Sequence, residues 1–460
     1  MNLLAPLGKA QRPITKLILL LPLLSFLSAS CKKENCDLPP AQCHVYPDNC
    51  GELFEKNTPV RDKLKEYAHP LTGAATPLDD AELADLDGIL SSAYFVGMGE
   101  ATHGTSEFFS MKDRLLRYMV KKHGYKALGF EGTWGGALYV NQYVLHGIGS
   151  AEESIAKMQS WPVRTEEVAA LVEWMKTYND SRPDSEKIYF FGVDMQVSSE
   201  EYYWINEYLG RTDEGLKAEI DTLVKDFVES ANYNSYPLFS PEQQLEYKTN
   251  LEMALRLYEQ NENELVALSS QKEYDLIHQA FVILLQYEDV FDKSSGHTRD
   301  YYMARNSEWI SSYVGPGAKV ALWAHNGHIT KGNNASQGHE LYLAHGDKYK
   351  SIGFSFTQGT FRAVDFQTYE GPLSFYIEDI GCSTANALLG SIGQEDYYLL
   401  FNELPETSPA YQYFDSYQPF FEVGALFDPE QPNWFAARKL LTKHFDVLVH
   451  FKTSTPSNPL

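Results

Sequence analysis

The feature that most constrains this chain is a series of five short, almost continuously apolar runs: AYFVG (Ala93–Gly97), KALGF (Lys126–Phe130), KIYFFG (Lys187–Gly192), KVALW (Lys319–Trp323) and SIGFSF (Ser351–Phe356). Runs of this length without polar alternation fit strands covered on both faces, the usual condition in a parallel sheet. Between the first two, Phe108, Met111, Leu115, Tyr118 and Met119 recur at helical spacing. Thr105 or Ser106 can cap the start of that helix and Gly124 can end it. Strand, helix, strand is a βαβ unit. The sequence therefore predicts an α/β fold, a mainly parallel β-sheet flanked by helices and joined by right-handed crossovers. YYLLF (Tyr397–Phe401) and FDVLVHF (Phe445–Phe451) are expected to add edge strands.

From about Ser198 to Lys293 the pattern changes to long charged stretches with apolar residues at helical spacing, such as YKTNLEMALRLYEQNENELVALSS. This reads as a helical insertion, either a cap over the sheet or extra crossover helices. It divides the α/β core into residues 60–197 and 294–460. No internal repeat or low-complexity tract interrupts the folded part.

The N-terminus carries a separate message. Lys9, Arg12 and Lys16 precede LILLLPLLSFL (Leu17–Leu27), which suits a signal peptide and is too short to span a bilayer as a mature helix. Ser28, Ala29 and Ser30 stand directly before Cys31, an arrangement resembling the cleavage box of bacterial lipoproteins, although Ser28 stands where that box usually has an aliphatic residue. Residues 1–30 are thus expected to be removed, Cys31 to carry lipid that holds the protein to a membrane of the cell envelope, and residues 31–59 to form a tether. An ordinary secretory signal that leaves Cys31 in the mature chain is the alternative.

Cys36, Cys43, Cys50 and Cys382 remain, so disulfides are open to the exported chain, but their pairing cannot be read from sequence. No C-x-x-C pair exists, which removes the usual thiolate metal motif. The formal charge of -24, with no basic stripe to offset it, argues against a nucleic-acid partner, whose phosphates would be repelled.

Placed on this map, the histidines and acids fall into a pattern. Glu100 and His103 follow the first strand in GEATHG, Glu131 follows the second, Asp194 the third, and His325 and His328 the fourth in WAHNGH. In a parallel sheet the carboxyl ends of the strands share one edge, and open α/β folds bind ligands there. Taken singly, each residue has a packing explanation: Glu100 bonding amides at a helix start, Asp194 as a cap, Glu131 paired with a buried arginine, His325 as a satisfied core histidine. Repetition on four strands favours a site.

The chemistry is bounded by what is missing. There is no G-x-S-x-G elbow and no H-E-x-x-H; the nearest approach, HELYLAH (His339–His345), misplaces its second histidine. Histidines and carboxylates without a nucleophile suit general-base activation of water, with an imidazole taking the proton and a carboxylate fixing its tautomer.

The segments GEATHGTSEFFSMKDRLLRYMV, ALGFEG, WPVRTEEVAALVEWMKTYN, FFGVDMQ, RDYYMARN, KVALWAHNGHI and SIGFSFTQGTFRA, in this order over about Tyr94 to Ala363, resemble the erythromycin esterase family. The resemblance implies an α/β fold with added helices and metal-independent hydrolysis of an ester without a cofactor, the macrolide lactone in the namesake enzymes. It casts His103 as general base with Glu100 beside it, and Glu131, His325 and His328 as further catalytic residues. Lys112 stands where some members have arginine, which keeps the charge and loses the bidentate fork. Arg164, in WPVRTEE, becomes a candidate anchor for substrate or for a site carboxylate, and Asp194 a supporting residue. Family members also carry the label of succinoglycan biosynthesis proteins, so the small-molecule ester or lactone stays open, and macrolide resistance is not implied. Two other classes compete: a metal-dependent hydrolase, because strand-end His and Glu/Asp can also ligate metal, and a non-catalytic saccharide-binding lipoprotein, suggested by 7 Trp and 30 Tyr.

Overall fold

The computed structural model describes residues 50–75, 80–291, 295–378 and 380–460. The expected signal segment 1–30, Cys31, Cys36, Cys43 and most of the expected tether lie outside the described residues. At the end of that tether, Cys50–Lys56 and Thr58–Tyr67 are helices, and Cys50 is bonded to Cys382, 332 residues away in sequence.

Twelve strands are described: β1 (His69–Pro70), β2 (Phe95–Met98), β3 (Ala127–Thr133), β4 (Tyr189–Asp194), β5 (Val320–Trp323), β6 (Tyr349–Asp365), β7 (Leu373–Ile377), β8 (Asp396–Leu400), β9 (Gln418–Phe421), β10 (Leu426–Phe427), β11 (Ala436–Lys439) and β12 (Val447–Ser454). The main sheet runs β1-β8-β12-β6-β2-β5-β3-β4, with β7 and β10 also paired to β6, while β9 and β11 form a separate antiparallel pair. From β12 to β4 every pairing is parallel. The five apolar runs are β2 to β6. Glu100 and His325 stand two residues past the ends of β2 and β5, His103 and His328 five residues past them, and Asp194 is the last residue of β4. Glu131 does not follow its strand but lies within the last residues of β3, whose pairing continues to Thr133.

Two expectations need correction. Neither YYLLF nor FDVLVHF is at the edge: β8 is covered over Tyr397 and Tyr398 by the two-residue β1, and β12 lies between β8 and β6 and pairs with both, so FDVLVHF is fully interior. Its Val447, Leu448, Val449 and Phe451 are all buried, as a two-sided strand requires. SIGFSF is only the first part of a 17-residue strand, whose second half leaves the parallel sheet to pair with β7.

Alternation along the strands divides the core into two layers. Val96, Met98, Leu128, Phe130, Phe190, Trp323 and Phe354 meet the Ser106–His123 and Glu166–Asp180 helices. Phe95, Tyr189, Phe191, Val193, Val320 and Leu322 meet the helices of residues 199–289 and the Arg299–Val314 helix on the opposite face. The long charged region is therefore a helical layer laid against the sheet, with its apolar stripes inward. Gly124 ends the Ser106–His123 helix in the left-handed region (φ 71°) and donates its N–H to the Met119 carbonyl. At the start of that helix Thr105 makes no side-chain cap, since its hydroxyl pairs with Thr102 at 2.6 Å. Among the described residues no helix is long and apolar enough to cross a membrane.

Candidate active site

The strand order explains why distant residues meet. The chain leaves β2 for β3 and β4, then returns to insert β5 between β2 and β3. Three carboxyl ends thus lie side by side, carrying Glu100 and His103, His325, and Glu131. Asp194, the last residue of β4, comes next.

The turn after β2 is held from three sides. Glu100 O accepts from the Asn326 N–H at 3.0 Å, Ala101 O accepts from Val423 N–H at 2.6 Å, and Gly104 O accepts from Arg362 and Ser457 N–H, both at 3.0 Å. Glycine is required at 104 because a Cβ there would lie 2.3 Å from the Arg362 carbonyl oxygen. On this clamped turn His103 Nδ1 sits 2.5 Å from Glu100 Oε1. Glu100 Oε2 is bonded by Lys112, one helical turn and a half into the following helix. Glu100 is 2 % exposed and Lys112 0 %. Burial pushes the Glu100 carboxyl up, but the Lys112 ammonium and the bond and charge of His103 outweigh it and leave its pKa below the usual range. Lys112 is pushed down to about 8, by burial first, with Glu100 opposing. Its Nζ also lies 4.1 Å from the centroid of the Trp323 ring.

His325 is a different kind of histidine. Its Nδ1 accepts the Gly327 N–H at 3.1 Å, which assigns the proton to Nε2, and that Nε2 is buried without a hydrogen-bond partner. Burial first, then the neighbouring His103, hold its pKa well below 6.5, so the ring is neutral. The His103 and His325 ring centroids are 5.1 Å apart.

Glu131 links the second half of the site. Its Oε2 accepts the His325 N–H at 2.8 Å, and its Oε1 lies 3.0 Å from Arg299 Nη2 and 3.1 Å from His328 Nε2. Arg299 also forks onto Asp194, with Nε 3.0 Å from both carboxylate oxygens. His328 Nδ1 lies 2.7 Å from Asp300 Oδ1. Burial works against protonation of His328, yet Asp300 and Glu131 raise its pKa to about 10, so it is an imidazolium at neutral pH. Its 3.2 Å approach to Arg299 Nη1 is then a contact between two donors held together by shared carboxylates, not a hydrogen bond. Glu131 lies well below the usual carboxylate range: burial raises it, and His328, Arg299 and His103 pull it down further.

Of the residues singled out in sequence, Glu100, His103, Lys112, Glu131, Asp194, His325 and His328 are brought together. Arg164 is not. Its side chain is exposed and pairs with no site carboxylate among the described residues, because the motif turns its Trp161 ring toward His103 instead, with centroids 6.5 Å apart. The arginine on site carboxylates Glu131 and Asp194 is Arg299, which sequence reasoning missed together with Asp300. Both open the Arg299–Val314 helix that leads into β5. A helix returning the chain to the start of a parallel strand begins at the carboxyl edge, so the pair Arg299-Asp300 at its first positions was a readable signal. Among the described residues no three His, Cys, Asp or Glu side chains are arranged to hold a metal ion together.

A family model described as erythromycin esterase matches residues 120–454. Erythromycin esterase type II of Escherichia coli is 22% identical over 391 residues, 74% of this chain and 89% of its own. A solved succinoglycan biosynthesis protein superposes with a TM-score of 0.76 at 24% identity, covering 89% of this chain and 99% of its own. A mutant of the erythromycin esterase EreC in its open conformation gives 0.61 at 18% identity, over 84% and 96% of the two chains.

Proposed function

The chain belongs to the erythromycin esterase family of hydrolases, and from that premise we propose that it cleaves a carboxylic ester or lactone of a small molecule with water activated by His103. The observation that carries this reading is the 2.5 Å pair between His103 Nδ1 and Glu100 Oε1. A carboxylate accepting the Nδ1 proton leaves Nε2 free to take one from water, and its charge stabilises the imidazolium that results. Lys112 keeps Glu100 ionised and in place.

Attack on the substrate carbonyl develops negative charge on its oxygen. The unpartnered Nε2–H of His325, beside His103, supplies a fixed donor for that oxyanion. When the intermediate collapses, the His103 imidazolium returns its proton to the departing alkoxide. Glu131, bonded to the His325 backbone and braced by Arg299 and His328, holds the donor in position; His328, already protonated, serves as a brace and not as a base.

The test is a turnover screen across macrolides, simple esters and acylated sugars with His103→Ala as control. A folded variant is expected to lose about a hundredfold to ten-thousandfold in turnover. Chelator is expected to leave the wild type active. Wild-type turnover by folded His103→Ala protein removes the mechanism, and chelator-sensitive activity restored by a divalent metal favours a metal hydrolase.

For location, we propose a lipid on Cys31 that anchors the enzyme in the cell envelope, from the signal-like segment and the small residues before that cysteine. Labelling cells with a lipid precursor tests this. A Cys31→Ser protein that keeps the label refutes it.

A further inference from the structure

Three cations of the site are each matched to a carboxylate: Lys112 to Glu100, Arg299 to Asp194 and Glu131, His328 to Asp300 and Glu131. A fourth is not. Arg362 lies in the second half of β6, its backbone fastened to the His103 turn through Gly104. Its guanidinium carbon is 5.8 Å from the centroid of the Trp161 ring, the same ring that stands edge-on to His103. Arg362 Nη1 is buried and has no hydrogen-bond partner, and Trp161 Nε1 is buried and unpartnered as well. No carboxylate lies within ion-pair distance of Arg362 among the described residues.

A guanidinium held against an indole beside the base, with one arm out of water and only the more distant charge of Glu167 to balance it, gains from a carboxylate brought into contact. A planar fork and a neighbouring N–H suit a carboxylate. The net charge of -24 adds weight, since a protein so acidic repels anions at long range and can select one only through a local cation. We infer that Arg362 and Trp161 form a subsite for a carboxylate carried by the substrate near its scissile ester. This rests on the esterase reading and narrows it to acidic esters, with the anion on either the acyl or the alcohol side.

The experiment uses two matched pairs of esters. The nitrophenyl half-ester of hexanedioic acid against nitrophenyl hexanoate places the charge on the acyl side; 4-acetoxybenzoate against 4-acetoxybenzamide places it on the alcohol side. The readout is the ratio of kcat/KM, anionic over neutral. The wild type is expected to favour the anionic member of one pair by tenfold or more, which also tells the two sides apart. Arg362→Gln is expected to lower that ratio by tenfold or more, chiefly through KM, and Arg362→Lys to restore part of it. A purely structural role for Arg362, stacking on Trp161 and holding the turn, would lower both members equally and leave the ratio unchanged. That result overturns the proposal, as does a wild-type ratio near one in both pairs.

Calorimetric titration with hexanedioate and with benzoate reads the subsite without turnover. Binding of either one that Arg362→Gln abolishes, in a protein that hydrolyses no ester, would refute the esterase reading and keep the subsite. Absence of binding by wild-type protein of both carboxylates would sink the subsite alone.

Discussion

Among single residues, charge in a dry setting decides most. Lys112→Met would strand the Glu100 carboxylate in the interior with only His103 as partner, and breaking a buried pair of this kind costs about 3–5 kcal/mol. Urea denaturation is expected to show a loss of that size together with lost turnover; a variant as stable as wild type would mean Glu100 is not ionised in the fold. On the proposed mechanism His325→Ala removes the oxyanion donor and is expected to lower kcat about a hundredfold to a thousandfold with KM little changed. His328 gives a pH-dependent outcome. Its folded pKa of about 10 stands above the unfolded 6.5, so its contribution to stability is fully present below about 6.5 and is lost as pH rises through about 10. The stability gap between wild type and His328→Gln should be widest at pH 6 and shrink steadily toward pH 10, whereas a constant gap would show a neutral ring. The sequence made the positions of His103, Glu131, Asp194, His325 and His328 legible because each follows an apolar run. It hid their division of labour, since which nitrogen of His325 is free depends on a backbone N–H two residues on, and the charge of His328 depends on Asp300 from another element.

At the level of elements, the site is a set of turns that must keep register with one another. Asn326 is the staple between them. Its side chain donates to Phe354 O at 2.8 Å, accepts from Phe354 N–H at 3.0 Å, and reaches Glu422 Oε2 at 3.3 Å, while its own N–H bonds Glu100 O. Asn326→Ala leaves the buried amide and carbonyl of Phe354 unpaired, at about 1–3 kcal/mol each. Thermal and chemical denaturation should show a loss of roughly 2–6 kcal/mol, and turnover should fall because the β5 turn loses its hold on β6, while the backbone bond to Glu100 O remains. Retained stability would mean that water replaces the amide fully. Apolar runs announced the strands of this scaffold, and the 3.6-residue spacing announced the helices. Pairing was harder to read. β12 carries the same pattern at an edge or inside a sheet, and only the partner strands on both sides, β8 and β6, distinguish the two. The reach of β6 beyond Phe356 was masked because its later residues, TQGTFRAVD, alternate polar and apolar once the strand leaves the doubly covered region.

Across the whole molecule, the Cys50–Cys382 bond joins the first described helix to a loop that follows β7. A cross-link closing so long a loop lowers the entropy of the unfolded chain, by about 6 kcal/mol at about 25 °C in the chain-entropy picture. With an unfolding entropy of about 2 cal/mol/K per residue, reduction is expected to lower Tm by roughly 6 °C. Scanning calorimetry with and without reductant checks this, and an unchanged Tm would assign the bond no role in stability. Every strand from β1 to β7 and the entire helical layer lie between the two cysteines. A protease that severs the backbone once anywhere in that span leaves two pieces that still travel as a single molecule under denaturing conditions and separate only when the sulfurs are reduced.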